Sequence, residues 1–253
     1  MRETDAFRHA LRFMTVLPVR SSDTLEADWL ARASRFFPAV GVVVGLASAI
    51  VFGIASRYWA GFVPAVLAVA TSVLLTGALH EDGLADTVDG FGGGRSREAR
   101  LAIMKDSRLG TYGALALAFS VALRIAALAL MPPSYAWAAL IAGHAGARAA
   151  ATWAMNTLPY AGDPTATRIT YSEMTVDRSG AMTALLVTLA ALLPALIKAP
   201  SALFAGLILA ALSVLTVVAL ARRLIGGYTG DVLGAVEQAA EVAFLLGLAA
   251  GAH

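Results

Sequence analysis

The sequence predicts an all-α integral membrane protein, a helical bundle of about seven spans with its N-terminus in the cytoplasm. Of the 253 residues, 58% are hydrophobic and only 14% are charged, and the mean hydropathy is +0.73. A soluble domain cannot bury that much apolar surface in its own core. The apolar runs are long and uniform rather than alternating, which favours helices over the strands of a membrane barrel.

Seven apolar runs approach the roughly 20 residues that one bilayer-spanning helix requires. Their limits are 38–56, 62–80, 112–131, 135–155, 181–197, 203–220 and 232–251. The last run is the weakest candidate, because Glu237 and Glu241 lie inside it and charged side chains oppose insertion. We expect the whole chain, residues 1–253, to form a single membrane-embedded domain.

The basic residues predict the orientation. Of the 19 Lys and Arg residues, 15 fall in four segments on one side of the predicted bundle: 1–37, 80–111, 156–180 and 221–231. Only Arg57 and Lys198 fall on the other side. Because positively charged loops stay in the cytoplasm, we predict a multi-pass protein of the cell (inner) membrane. Its N-terminal segment, 1–37, and a loop at about 80–111 that holds the active site then face the cytoplasm.

Composition also limits the ligands. The chain has no cysteine, so any metal must take oxygen or imidazole ligands. The pI is near 9.1, but the net formal charge is only +2 and the arginines are scattered between apolar runs. This distribution fits membrane topology rather than a nucleic-acid surface. We therefore expect the lipid bilayer as a partner and exclude nucleic acid.

Acidic residues are concentrated at the end of the second apolar run. On a helix with about 100° per residue, Asp82, Asp86 and Asp89 fall within an arc of about 60°, whereas His80 and Glu81 point away from it. Stacked like charges repel, and a divalent cation between them removes the repulsion. Oxygen ligands favour Mg²⁺, with Mn²⁺ also suitable. A solvated helix end is the alternative, but a face that continues a span favours a metal site.

A basic stretch follows these aspartates. Five cations occur in a short segment after Gly92-Gly93-Gly94: Arg95, Arg97, Arg100, Lys105 and Arg108. Glycines let a backbone approach an anion closely, and guanidinium groups bind phosphate. We predict that Arg95, Lys105 and Arg108 bind substrate phosphates. For Arg97 and Arg100 we prefer the interpretation that they only set the membrane topology.

Charged residues also occur inside the predicted spans. Arg148 needs an anion, which could be a substrate phosphate or a carboxylate of the bundle. Asp231, Glu237 and Glu241 offer a second acidic face. These three could meet the first acidic face and bind substrate, or they could pair with arginines in the bundle. The residues leave both interpretations open.

Together these motifs resemble one family, the cobalamin synthases, also called adenosylcobinamide-GDP ribazoletransferases. The resemblance is carried by ALRFMTVLPV, RFFPAVGVVVG, GALHEDGLADTVDGFGGG, IMKDSRLGTYG and GGYTGDVLGAVEQAAE, which cover almost the whole chain. The Asp86-Thr87-Val88-Asp89-Gly90 motif alone is also similar to the CDP-alcohol phosphotransferases, although their signature continues differently. One departure is Gly162-Asp163, where the family has an arginine and an acidic residue; Arg168 is the candidate substitute.

The resemblance implies transfer of the cobinamide phosphate of adenosylcobinamide-GDP to α-ribazole, or to α-ribazole 5′-phosphate. The products would be adenosylcobalamin (or its 5′-phosphate) and GMP, the last steps of vitamin B12 nucleotide-loop assembly. Mg²⁺ on Asp82, Asp86 and Asp89 would neutralise the diphosphate, and Asp89 or Asp106 would accept the hydroxyl proton.

Two other functions stay as alternatives, a lipid enzyme of the CDP-alcohol phosphotransferase type and a cation transporter. A transporter would distribute its acidic residues along a path through the bilayer, whereas these gather at the predicted cytoplasmic ends. The residues leave open whether the chain forms a homo-oligomer or associates with enzymes of the same pathway.

Overall fold

The computed structural model describes residues 2–20, 26, 28–162 and 176–251, and the regular elements within these ranges are all helices. They are α1 Glu3–Met14, α2 Trp29–Ser34, α3 Phe37–Ala55, α4 Phe62–Thr76, α5 Leu79–Gly93, α6 Arg97–Met104, α7 Thr111–Leu130, α8 Pro133–Thr157, α9 Arg178–Lys198, α10 Pro200–Leu224 and α11 Gly230–Ala250. The all-α prediction is confirmed. Asp163 and Arg168 lie outside the described residues.

The long helices run between two ends of one bundle. At the aspartate end, which holds α1, α2, α5 and α6, the Val16 N–H donates to the Leu75 carbonyl at the end of α4 (2.8 Å). At the opposite end, the α3–α4 and α7–α8 links line one cavity that contains Arg57 and Met131. The chain therefore returns to the aspartate end after α4, α8 and α10, as the predicted topology requires.

Five of the described helices, α3, α7, α9, α10 and α11, are long and apolar enough to cross a membrane. This confirms a multi-pass membrane protein. Two predicted spans differ from the prediction: α4 has only 15 residues, and α8 has 25 residues but carries His144 and Arg148. The total of seven spans and the orientation stay predictions.

The sequence predicts that the aspartate helix continues the second span, and this prediction is wrong. The two helices are bent by 88° at Gly77 and Ala78, which both have left-handed backbone angles (φ 61° and 58°). The Ala78 N–H donates to the Val73 carbonyl (2.9 Å), closing α4 in the hydrogen-bond pattern of a glycine C-cap. The predicted loop at 80–111 is accordingly two helices, α5 and α6, at the end of the bundle.

Small residues bring the central helices together. A Cβ on Gly41 of α3 would collide with the His144 carbonyl of α8, and a Cβ on Gly45 would lie 2.7 Å from Cα of Ile141. Such close approach is typical of helix packing in membranes. It places α8 between α3, α9 and α11, so that the polar side chains of α8 lie in the interior.

Candidate active site at the aspartate end

α5 presents its aspartates at the aspartate end of the bundle. Asp82 is exposed, Asp86 is partly buried and Asp89 is buried. Gly83, Ala85 and Gly90, which flank this face, are buried. The predicted helix and its aspartate face are therefore present.

Asp231 joins these residues from α11. α5 and α11 cross at Gly83 and Gly234, and a Cβ on Gly83 would lie only 2.8 Å from the Asp231 carbonyl. The charges of Asp82, Asp231 and Asp89 all act on Asp86. Asp231, one residue of the predicted second acidic face, therefore lies beside the aspartates of α5.

Asp89 is held by the start of α7. Its Oδ2 accepts the Gly110 N–H (2.7 Å) and its Oδ1 accepts the Gly113 N–H (2.9 Å). A carboxylate is favourable at a helix N-terminus, where free N–H groups and the helix dipole attract negative charge. Asp89 thus uses both carboxylate oxygens to anchor the start of α7.

Asp106 and Arg108 form an exposed ion pair. Arg108 Nη2 lies 2.6 Å from Asp106 Oδ2, and Arg108 Nε lies 3.1 Å from both carboxylate oxygens. These hydrogen bonds lower the pKa of Asp106 below its ordinary value. A carboxylate with a lowered pKa is a weaker proton acceptor, so Asp106 is not an effective base while Arg108 binds it.

Arg95 and Lys105 are both exposed, and within the described residues neither forms an ion pair. The glycines at the end of α5 have a packing role, and their predicted approach to an anion stays a prediction. A Cβ on Gly92 would lie 2.8 Å from the Tyr112 ring, and a Cβ on Gly94 would lie 2.7 Å from the backbone nitrogen of Arg100. They allow α6 and α7 to pack against α5.

Arg97 and Arg100 bind backbone carbonyl groups. Arg97 donates to Ile225 through Nε and to Ala161 through Nη2, both at 2.8 Å, and Arg100 donates to Leu224 (3.3 Å). These bonds attach α6 to the end of α10 and to the segment that follows α8. Setting the topology is therefore not the whole role of these two arginines, and nothing in the sequence pattern pointed to the carbonyl contacts.

Arg148, Glu237 and Glu241 lie in a buried ion-pair cluster rather than at the surface. Arg148 Nη1 contacts Glu237 Oε1 (2.8 Å), and His144 Nδ1 contacts Glu241 Oε2 (3.0 Å). The side chains of the three predicted substrate-binding residues are at most 4% exposed. The structure thus shows the internal pairing that the sequence left as the alternative, and in this arrangement none of the three is open to a substrate.

The same cluster brings three ligand-type side chains together. His144, Glu237 and Glu241 offer atoms within 4.8 Å of one another, the single such group in the described part of the chain. Arg148 Nη1 already contacts Glu237 and lies 3.5 Å from His144 Nδ1. The guanidinium of Arg148 thus already contacts one of these ligand groups, and its charge would repel a metal ion.

The aspartates at the aspartate end are a better candidate for a metal site than the buried cluster, because no arginine among the described residues neutralises them. Neither Asp82, Asp86 and Asp89 nor Asp82, Asp86 and Asp231 converge as a set within 4.8 Å, but both oxygens of Asp89 are already engaged by the start of α7. Asp82, Asp86 and Asp231 provide hard oxygen ligands and mutual repulsion that a divalent cation would relieve. This donor set fits Mg²⁺ or Mn²⁺.

Comparison with known proteins decides the family. The sequence matches the cobalamin-5-phosphate synthase family over residues 6–249. The chain belongs to this family. No solved structure matches it.

Several curated relatives of this cobalamin-5-phosphate synthase family member are named adenosylcobinamide-GDP ribazoletransferase. The protein of Bradyrhizobium diazoefficiens is 45% identical over 247 residues, which cover 96% of this chain and 92% of the relative. That of Azorhizobium caulinodans is 45% identical over 251 residues (94% and 93%), and that of Shewanella sp. strain ANA-3 is 41% identical over 245 residues (95% and 92%). The family resemblance read from the motifs is confirmed.

Proposed function

We propose that this protein transfers the cobinamide phosphate of adenosylcobinamide-GDP to α-ribazole or α-ribazole 5′-phosphate, giving adenosylcobalamin or its 5′-phosphate and GMP. The observation that carries the proposal is similarity along nearly the whole chain to relatives named for this reaction. The aspartate end adds a chemical reason, since it combines unpaired carboxylates with exposed cations. Phosphoryl transfer depends chiefly on such positioning and charge neutralisation.

In this reaction the acceptor hydroxyl oxygen forms a bond to the phosphorus that carries cobinamide, and the bond from that phosphorus to the GMP oxygen breaks. Arg95 and Lys105 are available to bind the phosphates. Arg108 becomes available when it leaves Asp106. Asp106 then loses the hydrogen bonds that lower its pKa and accepts the hydroxyl proton.

Asp82, Asp86 and Asp231 would hold Mg²⁺ or Mn²⁺, which supplies charge neutralisation for a diphosphate. We assign Asp89 to anchoring α7, because its two oxygens accept the Gly110 and Gly113 N–H groups. This differs from the ligand set expected from the sequence alone, since Asp231 takes the place of Asp89.

GMP release from adenosylcobinamide-GDP and α-ribazole, by purified protein in liposomes with Mg²⁺, tests the proposal. We expect release by the native chain and loss of release in Asp82→Asn. The matched control is Glu98→Gln, which changes an exposed acid of α6 and should leave release unchanged. Turnover of CDP-alcohol substrates in place of adenosylcobinamide-GDP would contradict the cobalamin reaction.

We also propose that the aspartate end faces the cytoplasm of the inner membrane, as the basic residues favour. Because the native chain has no cysteine, single cysteines report the orientation directly. In intact cells, Ala60→Cys at the opposite end should react with a membrane-impermeant maleimide and Ser107→Cys should not. The reverse pattern would overturn this orientation.

A further inference from the structure

α5 carries the aspartates, and it does not continue the direction of α4. The bend of 88° passes through two left-handed residues, Gly77 and Ala78. α5 is held instead by α11, α7 and α6. The rotation of α5 about its own axis must therefore be set by contacts with these helices.

The closest contact with α11 is between backbones. Gly83 lies against the Asp231 backbone, and Gly234 lies against the His80 backbone, where a Cβ would be 3.1 Å from the carbonyl oxygen. Glycines bring two helices near each other, but they offer no side chains to interdigitate. This contact fixes the distance between α5 and α11 better than it fixes the rotation of α5.

Asp89 fixes the last part of α5 to the start of α7, and Glu81 supplies a second side-chain constraint in the first turn. Its side chain is only 9% exposed, and its Oε1 accepts hydrogen bonds from Arg124 Nη2 of α7 (3.0 Å) and Gln238 Nε2 of α11 (3.2 Å). Glu81 precedes Asp82, so the two side chains leave α5 about 100° apart. A carboxylate held on the buried side thus sets the direction of the aspartate face.

The partners of Glu81 are themselves oriented. Ser120 Oγ donates to Gln238 Oε1 (2.8 Å), which turns the amide so that its NH₂ group faces Glu81. Arg124 is 1% exposed and also contacts Glu241 (3.7 Å). Buried ion pairs seldom add net stability over apolar packing, and conformational specificity is one reason to retain them.

We propose that Glu81, held by Arg124 and Gln238, is a positioning residue that sets the rotation of α5 and thereby aims Asp82 and Asp86 at the divalent cation and the substrate. The role of the aspartates rests on the proposed function. The assignment of Glu81 goes beyond it, because Glu81 touches neither cation nor substrate and acts through the helix that it orients.

Mn²⁺ binding, followed by electron paramagnetic resonance on purified protein in liposomes, tests this role without requiring turnover. Glu81→Ala should weaken Mn²⁺ binding by about 10- to 100-fold, the usual effect of losing a residue that orients ligands. Glu81→Gln keeps an oxygen acceptor for both donors and should stay within about threefold of the native affinity. His144→Ala is the control, since it loses a buried contact with Glu241 and His144 makes no hydrogen bond to α5.

Native affinity in Glu81→Ala would overturn the proposal, and so would equal weakening in Glu81→Ala and His144→Ala, which would indicate general loosening. If Glu81→Ala does not fold, Gln238→Leu carries the test. It removes one donor without leaving a charge, and about tenfold weaker binding is expected. Native affinity in Gln238→Leu would then contradict the proposal.

GMP release by the same proteins separates this inference from the proposed function. A native chain that binds Mn²⁺ but releases no GMP contradicts the cobalamin reaction, while the binding series still decides the role of Glu81. A native chain that releases GMP without a divalent cation contradicts the cation site. The kcat values then decide, because equal kcat in Glu81→Ala and Glu81→Gln would overturn the positioning role.

Discussion

The aspartate site and the buried ion-pair cluster are built from the same helices but treat charge in opposite ways. Asp82 and Glu81 are neighbours on α5, and Asp231 and Glu237 are both on α11. The buried glutamates contact Arg124 and Arg148, whereas Asp82, Asp86 and Asp231 have no arginine partner in the described structure. A charge in the bundle interior must be paired within the protein, while carboxylates near solvent can remain available for a cation.

The largest expected effect comes from breaking the buried cluster. Arg148→Met would leave Glu237 buried without its 2.8 Å partner, which should cost about 3–5 kcal/mol of unfolding free energy. The double variant Arg148→Met with Glu237→Met removes both charges and should recover much of that loss. Thermal unfolding in detergent measures both. A double variant as unstable as the single one would contradict the pairing.

Asp86→Asn tests the other region. We expect GMP release to fall by about 100-fold or more, since the variant removes a charged ligand from the proposed cation site. Its unfolding temperature should not fall, because Asp86 is repelled by the surrounding aspartates. A large loss of stability with retained activity would show that Asp86 belongs functionally with the structural cluster.

Asp89 belongs to the aspartate face but has a structural contact with α7. Asp89→Asn tests whether its role is structural or that of a metal ligand. The amide NH₂ group cannot accept a hydrogen bond, so the variant leaves either the Gly110 or the Gly113 N–H without its acceptor. We expect a loss of about 1–2 kcal/mol, as for other helix caps, and an unchanged half-maximal Mg²⁺ concentration for GMP release. A strong shift in the Mg²⁺ dependence would instead restore Asp89 as a ligand.

The smallest effect is expected at the exposed cations. Lys105→Gln should raise KM for adenosylcobinamide-GDP by about fivefold, equal to about 1 kcal/mol of binding free energy, without changing kcat. Higher salt should reduce the difference from the native chain, because screening weakens exposed charge interactions. Arg222→Gln, at the same end but on α10, is the control. An unchanged KM in Lys105→Gln would show that Lys105 does not bind the substrate phosphates.

Sequence patterns predicted the elements of the aspartate site better than their connections. Helical spacing put Asp82 and Asp86 on one face, because side-chain direction within one helix follows from its regular geometry. The bend before α5 was missed, since the apolar run passes unbroken through Gly77 and Ala78. A glycine in an apolar run is compatible with both a continuous helix and a C-cap, so composition could not separate them.

By itself, the sequence determined the all-α membrane class, the family and the helical face that carries the aspartates. Hydropathy, motif identity and helix periodicity are local properties, and they can be read along one chain. Only the tertiary structure decided that Asp231 joins Asp82 and Asp86, that Asp89 anchors α7, and that Glu237 pairs with Arg148 in the interior. Each of these depends on which helices pack together, and the close crossings at glycines that bring them together leave no signal in hydropathy or charge.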